Sequence, residues 1–134
     1  MPHVSKYKLK TAEEEKLKQT LGLVLRKINK DEEMEGFLYS LLSETEKIML
    51  AKRLAIMILI TEGLSEAEIA DKLNVTRETV LRIQMLMQIR GNGYEIALKK
   101  LEEEKYLGEF KKFLLSLGKY SLSATSGYIN PRLK

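Results

Sequence analysis

Between Thr76 and Arg82 the chain reads TRETVLR, a run of hydroxyl, guanidinium and carboxylate side chains suited to reading nucleic acid. An arginine fork matches guanine O6 and N7, a glutamate accepts from cytosine N4, and hydroxyls pair with several base edges or phosphates. No nucleophile sits beside a base that could activate it, so the chemistry on offer is recognition and an enzyme is not expected. If the run opens a helix, Thr76 caps it by accepting a hydrogen bond from the amide of Glu78 or Thr79. Thr76, Arg77, Glu78, Thr79 and Arg82 then share its outer face. In a helix lying in the major groove of double-stranded DNA, base readout falls to Thr76, Arg77, Glu78 and Thr79. Lys72 and Arg82 are expected on phosphates.

Those side chains need two helices crossing at a tight turn, and the surrounding stretch EAEIADKLNVTRETVLRI, Glu66 to Ile83, supplies the pattern. Ile69 and Leu73 are four apart, Val80 and Ile83 three apart, and Val75 bridges the turn, which predicts one inward apolar set. Ala70 is small where the second helix crosses, and Asn74 tolerates the left-handed backbone such a turn requires. A helix-turn-helix over residues 65–90 follows. The motif itself carries no net charge, because Lys72, Arg77, Arg82 and Arg90 are matched by Glu66, Glu68, Asp71 and Glu78. Attraction to phosphate is therefore expected from the chain ends. Residues 1–10 hold Lys6, Lys8 and Lys10 without an acid, and residues 105–134 hold six bases against Glu109. Residues 1–10 read as a flexible basic N-terminal arm and residues 119–134 as a basic C-terminal tail, flanking an all-helical domain over 11–118.

With 134 residues, a net charge of +4, 44% apolar and 31% charged residues, the chain suits a globular helical protein. Cysteine is absent and His3 is the single histidine, which leaves thiolate and histidine metal sites and catalytic triads unsupported. The longest apolar run, Leu54 to Ile60, is far short of the roughly 20 residues that span a bilayer, and no signal-peptide pattern opens the chain. A cytoplasmic protein with no membrane partner is expected. Thr11 is expected to cap a first helix carrying Leu17, Leu21, Val24, Leu25 and Ile28 and ending near Asn29. Asp31 opens a second, with Met34, Phe37, Leu38, Leu41 and Leu42 on one side. Ser43 with Glu46 and Ser65 with Glu68 are capping-box signatures, and Gly63 stops the helix between them. Gly91-Asn92-Gly93 reads as a flexible joint, followed by helices bearing Tyr94, Ala97, Leu98 and Leu101, then Phe110, Phe113, Leu114 and Leu117. Leu50 to Ile60 is apolar on nearly every side, and Leu81, Met85, Leu86, Met87 and Ile89 add a second surplus. A homodimer with interleaved helices would bury both, and would set two reading helices roughly 34 Å apart for a palindromic site.

The run from Phe37 to Leu98 resembles the Trp repressor superfamily, and its ending GNGYEIAL is similar to the YerC/YecD type of Trp-repressor-related protein. The residues that carry the resemblance are Leu42 to Glu46, Arg53, Gly63 to Ser65, the TVLR of Thr79 to Arg82, and the GNGY of Gly91 to Tyr94. It implies an all-α, intertwined homodimer that regulates transcription, as a repressor, through its helix-turn-helix. It also implies a ligand pocket, with Arg53 and Arg82 matching the arginines that flank a bound tryptophan and Ser43 matching a hydroxyl residue. Ile83 stands where the tryptophan-responsive members have glycine, and Leu86 where they have a small polar residue. A branched side chain there takes the space of the indole, so no tryptophan-like corepressor is expected and any small-molecule effector is of unknown chemistry. The alternative is a helix-turn-helix that binds other proteins, which the neutral motif would also suit.

Overall fold

The computed structural model describes residues 9–118, which fold as seven helices with no strand among them. The expected basic tail, 119–134, and the expected arm apart from Leu9 and Lys10 lie outside the described residues. The chain divides into two compact units, one up to Lys47 and one from Ile48.

The first unit contains α1 (Thr11–Lys27), α2 (Asp31–Leu41) and the start of α3 (Glu44–Thr61). Thr11 lies inside the first turn of α1. The cap is made instead by Glu13, whose carboxylate accepts the Lys10 amide at 2.8 Å. An acid three residues into a helix reaches back to an orphan amide and also favours the positive end of the helix dipole. The helix ends at Lys27, two residues before Asn29, because Ile28 is already extended. Neither α1 nor α2 has a buried residue, and Leu17, Leu21 and Leu25 of the α1 stripe are exposed. The Tyr39 ring carries the Lys47 ammonium above it, 5.5 Å from the centroid.

The second unit holds the core. From α3 it takes Ala55, Ile56, Ile58 and Leu59, a set that no single-faced helix could bury and that places this helix in the centre. Gly63, at φ 88°, ends α3 in a Schellman motif, its amide bonding to the Ile60 carbonyl at 3.0 Å and the Leu64 amide to Leu59 at 3.3 Å. Next come α4 (Glu66–Leu73), α5 (Arg77–Arg90), α6 (Asn92–Glu103) and α7 (Leu107–Leu115). The core gains Ile69 and Leu73 from α4, Val80 and Ile83 from α5, and Leu107 and Leu114 from α7. Each such side chain stabilises the fold by about 1.5–3 kcal/mol relative to exposure.

Between α5 and α6 the expected flexible joint is a single residue, Gly91. Gly93 already lies within α6, and Tyr94, half-buried, bonds through its hydroxyl to Thr61 Oγ1 at 2.8 Å. That bond ties α6 to the end of α3. A second tie joins α3 to α7, with Lys111 paired to Glu62 at 3.1 Å.

A third polar link in this unit runs from Lys72 to the end of α7. Its side chain is buried, and Nζ donates to the carbonyls of Leu115 at 2.8 Å and Leu117 at 3.0 Å. The last carbonyls of a helix have no intrahelical donor, so the ammonium supplies what they lack. Burial pushes the Lys72 pKa below its ordinary value, opposed by the charges of Asp71 and Glu68. Gly118 makes this approach possible: at φ 91°, a Cβ on it would stand 2.6 Å from the Asp71 carboxylate and 3.1 Å from Lys72 Cα.

Two outcomes follow from these contacts. Lys72→Met leaves both carbonyls without a donor and lowers the unfolding free energy by about 1–3 kcal/mol in a denaturant titration; unchanged stability would remove the clasp from the account. At the start of α4, Ser65 N donates to Glu68 Oε1 at 3.2 Å, and Glu68 N to Ser65 Oγ at 3.2 Å. The Ser65 amide, then the Ser65 hydroxyl, hold the Glu68 pKa below the usual carboxylate value. A depressed carboxylate stabilises the fold above its unfolded pKa, and that contribution is lost as pH falls through the folded one. The gap in thermal midpoint between the wild type and Glu68→Gln is therefore present at neutral pH and closes in acid. A gap that persists in acid would rule out the carboxylate as its source.

Candidate nucleic-acid interface

The segment from Ser65 to Arg90 forms a helix-turn-helix whose local chemistry follows from its residues. Ser65 and Glu68 cap α4 reciprocally, and Asn74 ends it in the left-handed region, at φ 53° and ψ 53°. An asparagine accepts that conformation more readily than a branched residue does, which lets the chain reverse within three residues. The Val75 amide then bonds back to the Ala70 carbonyl at 3.1 Å. Thr76 is extended and begins α5, its Oγ1 accepting from the Thr79 amide at 3.1 Å. Beneath the turn, Ile69, Leu73, Val80 and Ile83 are buried and Ala70 and Val75 half-buried, so the inward set is the expected one.

The opposite face of α5 is open. Arg77, Glu78 and Arg82 are exposed there. Arg77 pairs with Glu66 of α4 at 3.3 Å, and Arg82 with Glu78 one turn earlier at 2.8 Å. Exposed pairs of this kind are worth about 0–1 kcal/mol, less than a good bidentate contact to a base at about 1–3 kcal/mol. Neither arginine is therefore locked away from a ligand. Thr76 and Thr79 differ from them. Their hydroxyls lie 2.9 Å apart, Thr76 already accepts the cap bond, and Thr79 is half-buried. Their first function in this geometry is to hold the start of α5 rigid.

Lys72 corrects the sequence-based expectation. Its ammonium is turned inward onto the Leu115 and Leu117 carbonyls and is not presented to a phosphate. The signal was in the spacing, since Ile69, Lys72 and Leu73 share one face of α4 and both apolar neighbours are buried. Leu81, part of the apolar surplus, is exposed one turn after Arg77 and beside Arg82, on the open face.

The three residues expected around a ligand serve different ends. Ser43 caps α3, with its Oγ accepting from the Glu46 amide at 3.1 Å and its own amide donating to Glu46 Oε1 at 2.9 Å. Arg82 is on the outer face of α5, paired with Glu78. Arg53 lines a cavity of about 450 Å³ between α3, α5 and α6, together with Arg90, Met57, Leu86 and Tyr94. Ile83 is in the core and is not among the residues that line this cavity. Leu86 is. Of the two departures noted in the sequence, Leu86 is thus the one that lines the space beside Arg53.

Among the described residues no group of histidine, cysteine, aspartate and glutamate could hold a metal ion, and no helix is long and apolar enough to cross a membrane. No curated protein and no solved structure matches the chain. The family model of the Trp repressor protein does, over residues 15–102, a span that contains the whole of α2 to α5 and nearly all of α6. With its all-α architecture and its capped helix-turn-helix, this chain belongs to the Trp repressor protein family, a family of DNA-binding regulators.

Proposed function

We propose that the protein is a sequence-specific transcriptional regulator, a cytoplasmic repressor that reads a palindromic DNA site as a homodimer. The observation that carries this reading is the first turn of α5: a rigidly capped helix start with Arg77, Glu78 and Arg82 on an uncovered face. In this reading Arg77 forks onto a guanine, Glu78 accepts from a cytosine amino group, and Thr76 and Thr79 contribute from the cap. Arg82, released from Glu78, anchors a phosphate. The dimer is supported by large apolar side chains that the second unit leaves exposed, among them Ile48, Met49 and Leu50 of α3, which a second copy would cover. No corepressor is included. Leu86 occupies the wall beside Arg53, and tryptophan is not expected to alter binding.

The test is selection of bound sequences from a random duplex library at near-physiological salt, with and without tryptophan, alongside the mass of the protein in solution. The expected outcome is an enriched palindrome with half-sites about one helical turn apart, bound by a dimer, in both conditions. Arg77→Ala then relaxes preference at one base position per half-site by about 1–3 kcal/mol. Unchanged discrimination would reject that role for Arg77. The internal pairing of both arginines and the neutral motif also suit a surface that binds protein. Absence of any enriched sequence, together with partner binding insensitive to salt, would establish that second reading instead.

A further inference from the structure

On α5 the residues that face away from the core are Arg77, Glu78, Leu81, Arg82, Met85 and Ile89, and the apolar ones recur every four residues from Leu81. Leu81 is 43% and Met85 61% exposed, although α5 buries Val80 and Ile83 on its other side. At 1.5 Å per residue, Leu81 lies about 6 Å and Met85 about 12 Å along the axis from Arg77. A major groove about 12 Å wide thus takes Leu81 well inside when Arg77 reaches a base, and leaves Met85 at its rim. Leu81 follows Arg77 by four residues and precedes Arg82 by one, so it stands between two guanidinium groups. A face of this composition is poorly matched to an apolar protein partner, which would have to desolvate both charges. It is well matched to the floor of a major groove, where the one apolar group that a base edge presents is the C5-methyl of thymine.

We propose that Leu81 is a base-reading residue that packs against a thymine methyl group, so that each half-site contains a thymine next to the base read by Arg77. The proposal rests on the DNA-binding reading above and deepens it by naming the base chemistry that the centre of α5 selects. Hydrogen bonding by Arg77 and Glu78 cannot distinguish thymine from uracil. Apolar contact with the methyl can.

The experiment takes the duplex recovered by selection with the full chain and replaces each thymine in turn by deoxyuridine, which removes the methyl and keeps every hydrogen-bonding group. For the wild type, affinity falls about three- to fivefold at one position per half-site, the effect of one methyl withdrawn from apolar contact. Leu81→Ala binds the thymine and uracil duplexes equally, whereas Leu81→Met, which keeps an apolar side chain, retains the difference. Thermal unfolding of both variants confirms that they fold, as expected for a side chain on the surface. A wild type that binds its site but ignores every methyl overturns the proposal and leaves the DNA-binding reading intact. Equal methyl sensitivity in the wild type and Leu81→Ala overturns it as well, assigning the contact to another residue. Loss of all DNA binding in Leu81→Ala together with a change in oligomeric mass would place Leu81 between copies of the chain and overturn it. If the wild type enriches no sequence at all, the DNA-binding reading fails first and the proposal falls with it.

Discussion

The packing of α4 on α5 across a three-residue turn is the constraint on which the reading face depends. Ile69 and Val80 are fully buried against the same core, and the chain between them has to reverse without leaving a backbone group unpaired. Asn74 in the left-handed region, the bond from the Val75 amide to Ala70, and the Thr76 cap together achieve this. Each is small in energy. A cap contributes about 1 kcal/mol and a backbone hydrogen bond a similar net amount. Their joint effect is geometric: the direction of α5 is set by its first residue, so Arg77, Glu78 and Leu81 project from a fixed origin. Lys72 extends the constraint to α7. By satisfying the final carbonyls of that helix from within α4, it makes the position of the reading motif depend on a segment more than forty residues away in sequence.

Electrostatics on the face has a different logic. Four acids balance the four bases of the motif, and two of those acids hold the two arginines that project from α5. A strongly basic helix would bind any duplex through its phosphates, at an affinity that depends on salt far more than on sequence. A neutral helix gains little from phosphates. In the proposed function, what it gains comes from base edges, where geometry decides. The Glu66 and Glu78 carboxylates also keep the guanidinium groups oriented before any ligand arrives, at a cost of no more than about 1 kcal/mol each when the pairs are exchanged.

How much of this was legible in the sequence depended on the range of the interaction. The Ser43 and Ser65 capping boxes, the Thr76 cap, the left-handed Asn74 and the inward set of the motif are all local, three or four residues across, and the structure has each of them. The resemblance to the Trp repressor superfamily, carried by Phe37 to Leu98, corresponds to a family match over residues 15–102. What could not be read was non-local. Nothing near Lys72 announces the Leu115 and Leu117 carbonyls, although its place beside Ile69 and Leu73 on one face warned against solvent. Arg90 joins Arg53 at a cavity because α3 and α5, far apart in sequence, line it together. Thr11 was displaced as the α1 cap by a carboxylate two residues on, a competition between two good local candidates that composition alone does not decide.

The exposed apolar residues are not all of one kind. Ile48, Met49 and Leu50 are consecutive on α3 and so point to different sides of it, with Lys52 and Arg53 one turn on. In the proposed dimer a second copy covers such residues, because apolar faces related by a twofold axis present the same chemistry to each other. Leu81 stands one turn after Arg77, beside Arg82 and one turn before the exposed Met85, so covering it brings two guanidinium groups into the contact, and a partner rich in acceptors repays their desolvation. The same apolar exposure therefore argues for self-association on α3 and for a polyanionic groove on α5. In the proposed dimer both are satisfied only if the outer face of α5 stays uncovered, which is the arrangement that paired reading of two half-sites requires.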